Sequence, residues 1–167
     1  NAFVLRQPAD ANAIRQASNN ADSIVIIGGG YIGLEVAASL RKKGMDITVI
    51  EAGERILARV ASKPLANYLN KLHEDNGVTV ITNVGVEGIN QESGIFASVT
   101  LSDGRVISGD MLITGIGVYP DSHLAVAAGL ETQFDTGGAI LVNNEMRTSD
   151  KDIFAIGDVA LRREQTI

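Results

Sequence analysis

The chain has 167 residues, 45% hydrophobic and 20% charged, with 18 Gly, 3 Pro and no Cys. These are the proportions of one globular domain with an appendage, and they exclude a disordered, collagenous or coiled-coil chain. A net charge of −6 argues against nucleic acid. The lack of Cys excludes a disulfide scaffold, a cysteine zinc site, an iron–sulfur cluster and a redox dithiol in this span. No apolar run reaches the ~18 residues of a membrane span. No signal peptide opens the chain, which starts at Asn1 without Met, so the expectation is a cytoplasmic domain cut from something longer.

In chain order, residues 1–20 read as a polar helical lead-in with a weak stripe of Ala9, Ala13, Ile14 and Ala17. Ser23 to Ile27 is a β-branched run without polar alternation, as in a buried parallel strand. Tyr31 to Lys43 reads as a helix closed by Gly44, and Asp46 to Ile50 as a second strand. Leu65, Leu69 and Leu72 mark one face of a second helix, which Gly77 ends before a third strand, Val78 to Ile81. This alternation predicts an α/β fold with a Rossmann-like, doubly wound parallel sheet.

The pattern then changes. Val86 to Asn90, Ile95 to Leu101 and Arg105 to Ile107 read as short strands, and Asp103-Gly104 suggests a hairpin with a type I′ turn. A three-stranded antiparallel meander here replaces a crossover helix. Met111 to Thr114 resumes the apolar strands and ends at Gly115-Ile116-Gly117. A short helix (Leu124 to Ala128) and strands at Ala139 to Val142 and Ile153 to Ile156 complete the reading.

Gly28, Gly30 and Gly33 form G-x-G-x-x-G between a predicted strand and a predicted helix, the context in which that pattern has meaning. Gly28 permits a tight turn, Gly30 lets backbone approach a pyrophosphate, and Gly33 lets the helix lie close to the strand. The helix amino end adds free N–H groups and a positive dipole end. Glu51 follows about 20 residues later at a strand end, where a carboxylate can accept both adenosine ribose hydroxyls and repel a 2′-phosphate. NAD is therefore favoured over NADP, with Arg55 and Arg59 near enough to modify the choice. Glu35 has two readings: a carboxylate favourable at a helix amino end, or a polar group facing the crevice beyond the strands. His73 and His123 are isolated and structural. No metal-ligand spacing, catalytic triad or carboxylate pair stands out.

Gly28-Gly29-Gly30-Tyr31-Ile32-Gly33-Leu34-Glu35, Thr48-Val49-Ile50-Glu51 and Gly115-Ile116-Gly117-Val118-Tyr119-Pro120 together resemble the FAD-dependent pyridine nucleotide–disulfide oxidoreductases. Leu57-Ala58-Arg59-Val60, with His73 and Gly77-Val78, is similar to their NADH-dependent ferredoxin reductase branch. The resemblance implies that Tyr31 and Glu35 lie beside the nicotinamide, with Glu35 catalytic, and that Gly117 lets backbone approach it. It also implies that Ile153-Phe154-Ala155-Ile156-Gly157-Asp158-Val159-Ala160 is a flavin motif, Asp158 meeting the ribityl–phosphate region. Members of the family are longer, with an earlier flavin glycine loop and a C-terminal interface domain. The implied organisation is an NAD-binding domain over residues 1–118 and a returning, partial flavin-domain segment over 119–167, with FAD belonging to the longer protein. The implied function is passage of hydride from NADH to FAD and of electrons to a ferredoxin-type iron–sulfur protein. An NADH oxidase or disulfide reductase of the same superfamily, and a non-catalytic NADH sensor, are the rival readings.

Overall fold

The computed structural model describes residues 1–134 and 138–163. They fall into two compact units, Asn1–Ile116 and Gly117–Ile167.

The first unit opens with a strand, β1 (Ala2–Val4), where the sequence suggested only helix; α1 (Pro8–Ala17) follows. β1 runs parallel to a strand far along the chain, with Ala2 opposite Leu112, so no local periodicity signals it. α1 starts cleanly because Pro8 occupies its first turn and the Asp10 carboxylate accepts the N–H groups of Arg6 and Gln7, each at 2.8 Å.

Next come β2 (Ser23–Ile27), α2 (Tyr31–Arg41), β3 (Asp46–Ile50), α3 (Lys63–Asp75) and β4 (Val78–Ile81), two successive βαβ crossovers. Gly44 at φ 95° and Gly77 at φ 83° close the two helices in the left-handed region. On α3 only Ala66 is fully buried; of the leucine face, Leu69 packs half-buried against the core while Leu65 and Leu72 are about half exposed. This helix packs on the edge strand β4, which offers too little surface to cover all three leucines.

The meander is β5 (Val86–Glu92), β6 (Ile95–Leu101) and β7 (Val106–Ser108), and β8 (Met111–Thr114) then returns to the main sheet. The type I′ geometry lies at Ser93 (φ 53°) and Gly94 (φ 81°), with Glu92 opposite Ile95. At Asp103-Gly104 only the glycine has positive φ, and Gly104 N–H bonds Leu101 O in a type I turn with a glycine bulge. The hairpin is as predicted; its turn type is not.

The parallel sheet has the order β1-β8-β2-β3-β4. Ile24 and Ile26 of β2 enter one buried cluster with Ile14, Leu34 and Leu40 from the helices. Val25, one residue between them, enters another with Phe96, Val99 and Leu101 of the meander. Helices thus cover one face and the meander the other, which is why β2 is apolar on both sides. Each such aliphatic side chain contributes about 1.5–3 kcal/mol by leaving water.

The second unit holds α4 (His123–Ala127) and a small sheet of β9 (Thr132–Gln133), β10 (Ala139–Val142) and β11 (Ala160–Arg162), in the order β11-β10-β9. The strand expected over Ile153 to Ile156 is reduced to one bridge between Phe154 and Arg147. There the Arg147 guanidinium stands 5.1 Å over the Phe154 ring, and Gly157 at φ 76° breaks the extended run. The pairing passes instead to Ala160–Arg162, parallel to β10.

Candidate functional site

β3 and β8 flank β2 on opposite sides, so the chain winds away from the β2–β8 gap in two directions. In open α/β sheets the crevice beyond the strand ends at such a switch point is where ligands sit. Gly28, just past β2, and Gly115, just past β8, meet there. Gly28 N–H donates to Ile50 O and Gly115 N–H to Ile27 O, both at 2.8 Å. Gly28 is at φ 109°, and a Cβ on it would lie 2.5 Å from Gly115 O. A Cβ on Gly33 would lie 2.1 Å from Gly28 O, so α2 seats directly on the loop. Close approach of three backbone segments, as well as the turn, requires these glycines.

Gly30 is different. Its φ of −83° and ψ of −175° suit any residue, and a Cβ there would meet no protein atom within 4 Å. The fold itself supplies no reason for glycine at this position, whereas a group approaching the backbone closely does. Gly30 is the N-cap of α2, whose first N–H groups have no intrahelical acceptor. An anionic pyrophosphate suits that position in shape and charge. Tyr31 and Ile32 continue the same turn, both exposed.

The half-buried Glu51 sits immediately after β3. Its Oε2 accepts the Gly29 N–H and its Oε1 the Gly53 N–H, each at 2.7 Å. A carboxylate has about four acceptor sites, so each oxygen keeps capacity for one ribose hydroxyl. Gly28, Gly29, Gly30, Gly33, Glu51 and Gly115 are therefore brought together. Arg55 turns its guanidinium into its own loop, donating to Ala58 O at 3.0 Å and more weakly to Ile56 O and Leu57 O. Its Nε is buried without a hydrogen-bond acceptor, 3.6 Å from Glu54 Oε1. Arg59 is exposed on the same loop.

Glu35 is exposed on α2 and has no hydrogen-bond or ion-pair partner among the described residues. With Leu5, Ala11, Arg15 and Ser39 it borders a groove between α1 and α2. Gly117 (φ 134°) and Asp158 belong to the second unit; Asp158 is exposed on a single 3-10 turn, Gly157–Val159. Burial lowers the pKa of His73 on α3. Among the described residues no group of three or more His, Asp or Glu could hold a metal ion, and no helix is long and apolar enough to cross a membrane. Sequence reasoning missed Gly53 and Leu57. Leu57 N–H donates to Gly29 O at 2.9 Å while Leu57 itself is held at φ 53°. Gly53, two residues past the acid, was a visible signal; a leucine at positive φ left none.

A family model described as pyridine nucleotide-disulphide oxidoreductase matches residues 1–167. A probable ferredoxin reductase of Castellaniella defragrans is 44% identical over 153 residues, covering 92% of this chain and 36% of that protein. The crystal structure of a ferredoxin reductase from Rhodopseudomonas palustris superposes with a TM-score of 0.89 at 36% identity, covering 96% of this chain and 39% of the other. The reductase in a covalent putidaredoxin reductase–putidaredoxin complex gives 0.88 at 37% identity, over 99% of this chain and 39% of the other. The chain thus spans little more than a third of the length of the relatives it matches.

Proposed function

The chain belongs to the pyridine nucleotide-disulphide oxidoreductase family, and from that membership we propose that it is the NADH-binding part of a flavoprotein that reduces a ferredoxin-type iron–sulfur protein. One observation carries the reading. An open-faced Gly30 at the start of α2 and a Glu51 carboxylate bonded to the adjacent Gly29 stand side by side at the sheet's switch point, which supports a phosphate site beside a diol acceptor. These are the two polar features of an adenosine diphosphate half.

The residues divide the work along the dinucleotide. N–H groups at the α2 start take the pyrophosphate, and Gly30 gives it room. Glu51 accepts the ribose hydroxyls and disfavours a 2′-phosphate, with Arg55 and Arg59 on the bordering loop. Tyr31, Ile32, Glu35 and Gly117 are assigned to the nicotinamide side on the family likeness, and Glu35 is the residue proposed to act on the reacting end. A carboxylate there stabilises the positive charge of the oxidised nicotinamide, an interaction that strengthens in the transition state. NADH supplies the hydride when bound. The segment from residue 119 on, with Asp158, is assigned to the flavin domain that FAD would occupy in the longer protein. Relatives named as ferredoxin reductases, and a putidaredoxin reductase solved in covalent complex with putidaredoxin, support the iron–sulfur acceptor. The cytoplasm, where NADH turns over, is the location this reading implies.

Calorimetric titration tests it. The chain is expected to bind NADH more tightly than NADPH, and Glu51→Ala to narrow the gap by weakening NADH and relieving repulsion of NADPH. Equal affinities before substitution would refute the assignment.

A further inference from the structure

Gly29 is the one member of the glycine loop with hydrogen bonds from both of its backbone groups to the loop after β3. Its N–H meets Glu51 Oε2 at 2.7 Å, and its carbonyl accepts the Leu57 N–H at 2.9 Å. Gly53 N–H holds the other carboxylate oxygen at 2.7 Å. Leu57 is 4% exposed and sits at φ 53°, a conformation a leucine adopts only when its surroundings impose it. Ile56, 1% exposed, fills the space beside Gly29: a Cβ on Gly29 would come to 2.9 Å from Ile56 Cγ2 and 3.1 Å from Glu51 Oε2. A Cβ on Gly53 would come to 3.0 Å from Glu51 Oε1. The carboxylate is thus gripped by one N–H at each oxygen; a side chain at Gly29 would press on Ile56 and the carboxylate, and one at Gly53 on the carboxylate alone.

We infer that Gly29 and Gly53 are positioning residues that set nucleotide preference by holding Glu51 in one orientation; the inference rests on the NADH reading above. A solvent-exposed glutamate at a strand end would rotate freely and could swing aside for a 2′-phosphate. Two charge-assisted hydrogen bonds from fixed backbone prevent that and leave one lone pair per oxygen for neighbouring hydroxyls. Discrimination then depends on the donors as well as on the charge. Through Leu57 the same glycine fastens the diol acceptor to the phosphate loop, so the two halves of the site keep their spacing.

The test is Gly53→Ala, with Gly29→Ala as the harsher second variant, titrated with NADH and NADPH and melted in parallel. Around Gly53 the other near atoms lie at 3.7 and 3.8 Å, ordinary contacts, so the Glu51 carboxylate is what must move. NADH affinity should fall about tenfold while NADPH affinity stays within about twofold. The melting temperature of Gly53→Ala should hold within about 2 °C. A general structural defect would weaken both nucleotides together. An unchanged NADH:NADPH ratio in Gly53→Ala overturns the inference and leaves the NADH reading standing. A parent chain that binds neither nucleotide overturns both.

Discussion

In the unit Asn1–Ile116 the sheet lies between helices and a meander, and Ile24, Val25, Ile26, Val49 and Leu112 are at most 1% exposed. In the unit Gly117–Ile167 the buried apolar residues among those described are Ala125, Ala139, Val142 and Ala155, all small or medium. Four of its large ones, Tyr119, Leu124, Phe134 and Ile156, are each at least 75% exposed. The difference follows from layering: a parallel sheet covered on both faces buries the middle of a central strand on both sides, whereas a three-stranded sheet and a five-residue helix offer little to bury against. The proposed dinucleotide site stands on the first kind of frame. The exposed apolar surface of the second unit accords with its proposed place as one segment of a larger flavin domain.

The sharpest way to break this comparison is to truncate one side chain in each unit. Ile26→Ala should cost about 2–5 kcal/mol in urea unfolding, since it leaves a cavity between sheet and helices. Leu124→Ala, at 89% exposure, should stay within about 0.5 kcal/mol. Equal losses would contradict the account of the second unit.

A finer contrast lies inside the glycine loop. Gly28→Ala forces a Cβ against Gly115 O at a positive φ and should destabilise by about 2 kcal/mol or more. Gly30→Ala meets only open space and should leave stability within about 0.5 kcal/mol. It should nonetheless weaken NADH at least about tenfold, because the methyl group stands where the pyrophosphate approaches. A Gly30→Ala chain that binds NADH normally would remove the main steric support for the site.

The smallest effect is electrostatic and confined to the first unit. The N–H and hydroxyl of Ser23 and the N–H of Asp22 all donate to the Asp110 carboxylate and hold its pKa below the usual carboxylate value. A depressed folded-state pKa stabilises above the unfolded pKa, and that contribution is lost as pH falls through the folded value. Melting temperatures followed downward from pH 5 should therefore drop more steeply in the parent chain than in Asp110→Asn. The carboxylate is largely exposed, so the difference should be small; parallel curves would show that this link between β8 and β2 is immaterial.

How much of this was readable beforehand depends on the range of the forces involved. β2, β3 and β8 announce themselves as apolar runs because burial on both faces is written into each segment, and the edge strand β4 by its β-branched residues. The glycine loop and Glu51 were legible from spacing. β1 was not, since a three-residue strand exists only through pairing with Leu112 to Thr114. The Ile153 to Ile156 run has strand composition, yet Arg147 and Gly157 turn it into a loop. The Asp103-Gly104 turn obeyed its strand register over its dipeptide preference. The grip on Glu51 was hidden for the same reason: it depends on a loop closing over Gly29 through a leucine in a conformation that leucine disfavours.

The central claim is that Gly30, the start of α2 and Glu51 form one dinucleotide site, and backbone amide NMR of the chain titrated with NADH tests it most directly. The account predicts the largest shifts at Gly30, Tyr31, Ile32 and Gly53, with Val99 and Leu101 of the meander unmoved. Shifts centred on the α1–α2 groove at Ala11, Arg15 and Ser39, with Gly30 and Gly53 silent, would contradict it.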